Sequence, residues 1–99
     1  MSNEYIISDE KKEKLIGILT EELPALRAKL AITQEELCEI IGISLQTYSS
    51  IETQKRKMSW NVFLSLIMFF TNNDKTVPVI DSIGAFPEEL KESLNISNR

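Results

Sequence analysis

The chain has 99 residues, 42% of them apolar and 26% charged, with a net charge of −4. That is one domain's worth of chain, enough for a modest core, and three prolines with three glycines are too few for a barrel or sandwich built on many tight turns. With one cysteine, Cys38, and no histidine, the sequence offers neither a disulfide pair nor the usual imidazole base or zinc ligand set. No cofactor, metal or enzymatic role is expected, and Cys38 reads as a small buried apolar residue.

In chain order, Met1–Ile7 reads as a loose arm. It has no basic segment followed by an apolar one, so no secretory signal is expected. Ser8 is placed to cap a helix over 8–19, with Asp9 and Glu10 in its first turn and Leu15, Ile16, Ile18 and Leu19 on its apolar side. Proline inside a helix costs about 3 kcal/mol. The spacing therefore predicts a second start at Thr20, with Pro24 in the first turn and Leu23, Leu26 and Leu30 on one face.

The next starts are the clearest. Thr33 with Glu36 forms a capping box, Ile32 can staple to Leu37, and the helix from Gln34 should end at Gly42. Ser44 caps a following helix, with Ile43 able to reach Tyr48. Ser59 caps a third over Trp60–Phe70, with Met58 able to reach Phe63. Asn72-Asn73-Asp74 ends that helix, Val77–Ile83 forms a short one stopped by Gly84, Pro87-Glu88-Glu89 begins the last, and the tail after Asn95 frays. The acid pairs Glu21-Glu22, Glu35-Glu36 and Glu88-Glu89 each sit at a predicted helix start, where they suit the helix dipole better than catalysis. The expectation is an all-α, single-domain bundle over 1–99 of about five to seven short helices.

Gln34–Ile51 forms one unit. Leu37, Ile41, Ile43, Tyr48 and Ile51 are apolar, Cys38 is small enough for a close helix approach, and Gly42 tolerates the positive φ of a tight joint. Leu45, Gln46, Ser49 and Ser50 then lie on the outer face of the second helix, which can enter a DNA major groove.

Residues Leu26–Phe70 resemble the Xre-like, phage Cro/repressor-type helix-turn-helix family. The resemblance runs through Leu26-Arg27-Ala28-Lys29, Thr33-Gln34-Glu35-Glu36-Leu37-Cys38, Ile41-Gly42-Ile43-Ser44 and Tyr48-Ser49-Ser50-Ile51-Glu52. It implies a lambda-repressor-like core over about 21–70, with the helix at 8–19 and a helical segment at 76–95 as extensions. By the same resemblance, Leu45, Gln46, Ser49 and Ser50 face base edges. Gln34, Ser44, Thr47, Thr53, Lys55, Arg56 and Lys57 contact phosphate, Gln34 also helping to seat Gln46. Arg27 and Glu52 form a structural ion pair. Glutamine can bond adenine N6 and N7 together, which makes Gln46 the leading reader. Gln54 stands where the family has glycine, so it takes a costlier conformation or the helix ends differently.

The implied function is that of a sequence-specific transcriptional regulator, a repressor, binding double-stranded DNA at a palindromic operator as a homodimer in the cytoplasm. The acidic net charge runs against DNA binding, but the acids gather towards the ends while Lys55-Arg56-Lys57 is the densest basic group in the middle. Trp60–Phe70 is apolar almost all round and shorter than the ~20 residues a membrane span needs. It must be covered on several sides, by Val77–Leu94 or by a second subunit. The alternative function is a protein-binding module on the same fold, antitoxin-like or an anti-regulator subunit, with the partner at Trp60–Phe70.

Overall fold

The first four helix starts are written by a side-chain oxygen, while the last two have no side-chain cap. In the computed structural model, which describes residues 5–98, six helices follow one another: α1 (Asp9–Leu30), α2 (Gln34–Ile41), α3 (Leu45–Glu52), α4 (Trp60–Thr71), α5 (Val77–Ile83) and α6 (Glu88–Leu94). A 3₁₀ turn, Ile96–Asn98, follows, and no strand occurs among the described residues. The hydroxyls of Ser8, Thr33, Ser44 and Ser59 each accept from the amide three residues on, satisfying donors that a helix start leaves without partners.

α1 departs from the expected pair of helices. It runs unbroken for 22 residues with Pro24 inside it. Leu15, Leu19, Leu23 and Leu26 are all buried along one side, and that stripe crosses the proline without a change of phase. Burial of each leucine is worth about 1.5–3 kcal/mol, so together they outweigh one missing hydrogen bond and the ring clash. The helix ends with Ala31 in the left-handed region at φ 51°. There the Ile32 amide donates to Arg27 and the Ala31 amide to Ala28, the bond pair of a Schellman stop.

α4 is the central helix. α1, α2 and α5 pack around it, and Phe63, Leu66, Ile67 and Phe70 are buried between them. Trp60 stacks on Phe63 with ring centroids 4.7 Å apart, and the Lys12 ammonium lies 5.5 Å above the Trp60 ring. Cover is incomplete: Met68 is 69% exposed. No helix is long and apolar enough to cross a membrane.

The expected loose arm is otherwise, as far as it is described. Met1–Glu4 lie outside the described residues, but Ile7 is buried and the Ser93 hydroxyl of α6 donates to the Tyr5 carbonyl. The tail after Asn95, expected to fray, forms the 3₁₀ turn through Asn98.

Candidate nucleic-acid interface

The joint between α2 and α3 sets the geometry. Gly42 closes α2 at φ 77°, and both its amide and that of Ile43 donate to the Cys38 carbonyl. Cys38 is buried, and its thiol lies 3.9 Å from the Ser44 carbonyl. Burial pushes its ionisation up, so it acts as packing rather than as a nucleophile. Leu37, Tyr48 and Ile51 are buried completely where α2 and α3 meet the core.

A polar brace ties α1 to α3. Arg27 Nε donates to Glu52 Oε2 at 2.6 Å and a terminal nitrogen donates to Oε1 at 2.9 Å, a two-pronged match that guanidinium makes well with carboxylate. The other terminal nitrogen donates to the Ile32 carbonyl at 3.2 Å. The side chains are 20% and 7% exposed, Arg27 and Glu52 respectively. Burial alone would raise the Glu52 carboxyl, but hydrogen bonds from Arg27 and Gln34, with the Tyr48 hydroxyl close by, hold it below the usual carboxylate range. The Arg27 guanidinium is held above its ordinary value, chiefly by its hydrogen bond to Glu52. Tyr48 is wholly buried beside the pair. Its hydroxyl makes no hydrogen bond of good geometry, yet burial and the adjacent Glu52 carboxylate push its ionisation far up.

Gln34 belongs to this brace. Its amide nitrogen donates to Glu52 Oε1 at 3.1 Å, so its side chain points to α3's last residue, with its seat at the start of α2 half-buried. Beside it, the Thr33 amide and hydroxyl bond the Glu36 carboxylate and hold that group below its ordinary value.

From this frame the start of α3 projects outward. Ser44, Leu45 and Gln46 are exposed, with Leu45 at 43%. Thr47, Ser49 and Ser50 are half-buried on the same helix. Thr47 Oγ1 accepts from the Ser44 hydroxyl at 2.9 Å and from Arg56 at 3.3 Å, which leaves the Thr47 proton available to an acceptor outside the protein. The Thr53 hydroxyl is spent on the Ser49 carbonyl at 2.9 Å. Lys55, Arg56 and Lys57 follow, all exposed, but Lys57 is ion-paired with Glu13 of α1.

Gln54 resolves the missing glycine by adopting φ 63°. The Lys55 amide donates to Ser50 and the Gln54 amide to Ile51, another Schellman stop, made with a residue that has a Cβ. This turn aims the basic run back along α3.

Sequence reasoning missed two partners here. Glu13 lies 44 residues from Lys57 and outside the motif, so no spacing rule points to it. The bond from Gln34 to Glu52 spans 18 residues, and only the α2–α3 geometry brings them together.

A family model described as helix-turn-helix matches residues 25–59. No curated protein and no solved structure matches the chain. Among the described residues no cluster of metal-ligating side chains occurs. The matched segment begins just before the brace residue Arg27 and ends at the Ser59 cap of α4, so it spans the joint, the projecting face and the basic run. Over residues 25–59 the chain is therefore similar to the helix-turn-helix family, in line with the resemblance carried by its sequence.

Proposed function

We propose that the protein is a transcriptional repressor that occupies a palindromic operator as a homodimer. The observation that carries the reading is the exposed start of α3, Ser44-Leu45-Gln46, mounted on a buried brace and followed directly by a basic run. An α-helix presented by its N-terminal end fits the major groove, and cations beyond its far end suit the phosphate backbone.

The roles follow from reach and chemistry. Gln46 bonds an adenine edge, Leu45 packs on a thymine methyl, and Ser49 and Ser50 lie beside the neighbouring bases. Ser44, Thr47, Lys55, Arg56 and Lys57 hold phosphates, and the Thr53 hydroxyl joins them only by giving up its bond to the Ser49 carbonyl. Gln34 contributes at the α2 N-terminus through its backbone amide and the free part of its side chain. One such face offers little charge for tight binding, and two-fold repetition doubles it. The face bearing Met68 is available for such a contact.

A protein-binding role on the same fold is the second reading, and one observation favours it. Ile40 and Met68, 61% and 69% exposed, line an apolar groove of about 400 Å³ between α2 and α4.

The test is selection from a pool of random-sequence duplexes at two salt concentrations. A repressor of this kind enriches a palindrome whose half-sites lie about 34 Å apart, and retention falls steeply with salt. Failure to retain any duplex at low salt rejects the DNA reading and favours the groove.

A further inference from the structure

The first half of α1 lies outside the matched segment, yet it touches the basic run. Glu13, Ile16, Gly17, Thr20 and Glu21 share one face of that helix and line a shallow cavity whose other wall is Gln54, Arg56 and Lys57. Two carboxylates thus face two cations, and one contact is closed: Lys57 Nζ is ion-paired with Glu13.

We propose that Glu13 competes with the DNA backbone for Lys57 and so limits the protein's affinity for duplexes of any sequence. This rests on the DNA-binding reading above. Both partners are more than half exposed, so the pair is weak and water-screened, and a phosphate can displace the carboxylate. Displacement leaves Glu13 unpaired close to a polyanion. The penalty is the same on every duplex, because phosphates carry no sequence information. Base contacts by α3 are untouched, so the acid lowers specific and non-specific affinity by the same factor and leaves their ratio unchanged.

The pairing also changes the salt response. A lysine already neutralised by a carboxylate releases fewer net counterions when it meets a phosphate. The wild-type protein therefore binds with a shallower dependence on salt than its basic run alone would produce.

The experiment measures binding of a labelled mixture of random-sequence duplexes to the full chain, across a salt series, for wild type and Glu13→Gln. The same change is made in a Lys57→Gln background, and Asp81→Asn on α5 serves as a remote acid control. Expected is binding about 1.5- to 5-fold tighter per subunit for Glu13→Gln at low salt. The log–log salt slope steepens by at most about 0.9 per subunit, the value for one whole added phosphate contact. Both changes are clearly smaller in the Lys57→Gln background, where only the repulsion between Glu13 and the duplex remains, and Asp81→Asn leaves affinity unaltered. Matching thermal melts exclude a folding effect, since both partners are surface side chains. Equal gain with Lys57 absent, equal gain from Asp81→Asn, or no gain at all overturns the proposal while DNA binding stands. Absence of binding by every variant overturns the DNA reading, and this inference with it.

Discussion

Removing Glu52 tests the brace between α1 and α3. Its carboxylate accepts from Arg27 at 2.6 and 2.9 Å and from Gln34 at 3.1 Å. In Glu52→Ala the guanidinium, only 20% exposed, keeps the Ile32 carbonyl alone. Breaking a buried pair from one side costs roughly 3–5 kcal/mol. Partial access of water to Arg27 puts this case at the lower end, about 3 kcal/mol. For a chain of this size that lowers Tm by roughly 12–24 °C. Arg27→Ala strands a carboxylate instead and costs a similar amount. The double variant removes both charges, so its cost falls short of the sum by about 2 kcal/mol or more. Urea unfolding followed by circular dichroism reads all four corners of the cycle. Additivity within about 0.5 kcal/mol would refute the brace as a unit. The same pair shapes acid stability. The folded-state value of Glu52 is held below its ordinary one, so its contribution is complete above the unfolded value, about 4.3. It is lost as pH falls through the lower, folded value. Glu52→Gln should remove that part of the acid transition.

Four further outcomes are expected. Gln54→Gly and Ala31→Gly each relieve a left-handed residue with a Cβ and should stabilise by about 0.5–1 kcal/mol, net of the freedom glycine adds to the unfolded chain; a loss in urea midpoint contradicts the φ values. Pro24→Ala should stabilise by about 2 kcal/mol by restoring a bond to the Thr20 carbonyl within α1; an unchanged midpoint means the helix breaks near Thr20 after all. Gln46→Ala should relax preference at one base pair per half-site by about 1–3 kcal/mol; uniform weakening on all sequences removes Gln46 as a reader. Lys55→Ala or Arg56→Ala should weaken all duplexes alike and flatten the salt slope by about 0.9 each per subunit; an unchanged slope leaves them as solvated surface.

Much of the fold was legible because its helix starts are local chemistry. Ser8, Thr33, Ser44 and Ser59 each bond an amide three residues away, and such signals survive without tertiary knowledge. Gly42 and Gly84 marked helix ends for the same reason. Pro24 was misread because a local penalty was weighed without the burial that offsets it, although the stripe Leu15-Leu19-Leu23-Leu26 already ran across it in phase. The arm was misread because the Tyr5 carbonyl is held by Ser93, far along the chain, and Ile7 is buried in the core. In the interface, the outward placement of Leu45 and Gln46 follows from the buried Tyr48 and Ile51. The engagement of Lys57 by Glu13 and of Gln34 by Glu52 depends on how helices cross, which periodicity does not encode.

The bond from Ser93 to Tyr5 bears on the order of folding. It joins residues 88 positions apart, whereas the Gln34–Glu52 contact closes a loop of 18. Closing the longer loop from an open chain costs about 1.4 kcal/mol more entropy. The helix-turn-helix can therefore assemble from near neighbours first, with the clasp between the two ends closing late. In native-state hydrogen exchange the amides around Tyr5 and α6 should open in a lower-energy event than those of α2 and α3. The chain would then shed its outer wrap before its DNA-facing unit comes apart.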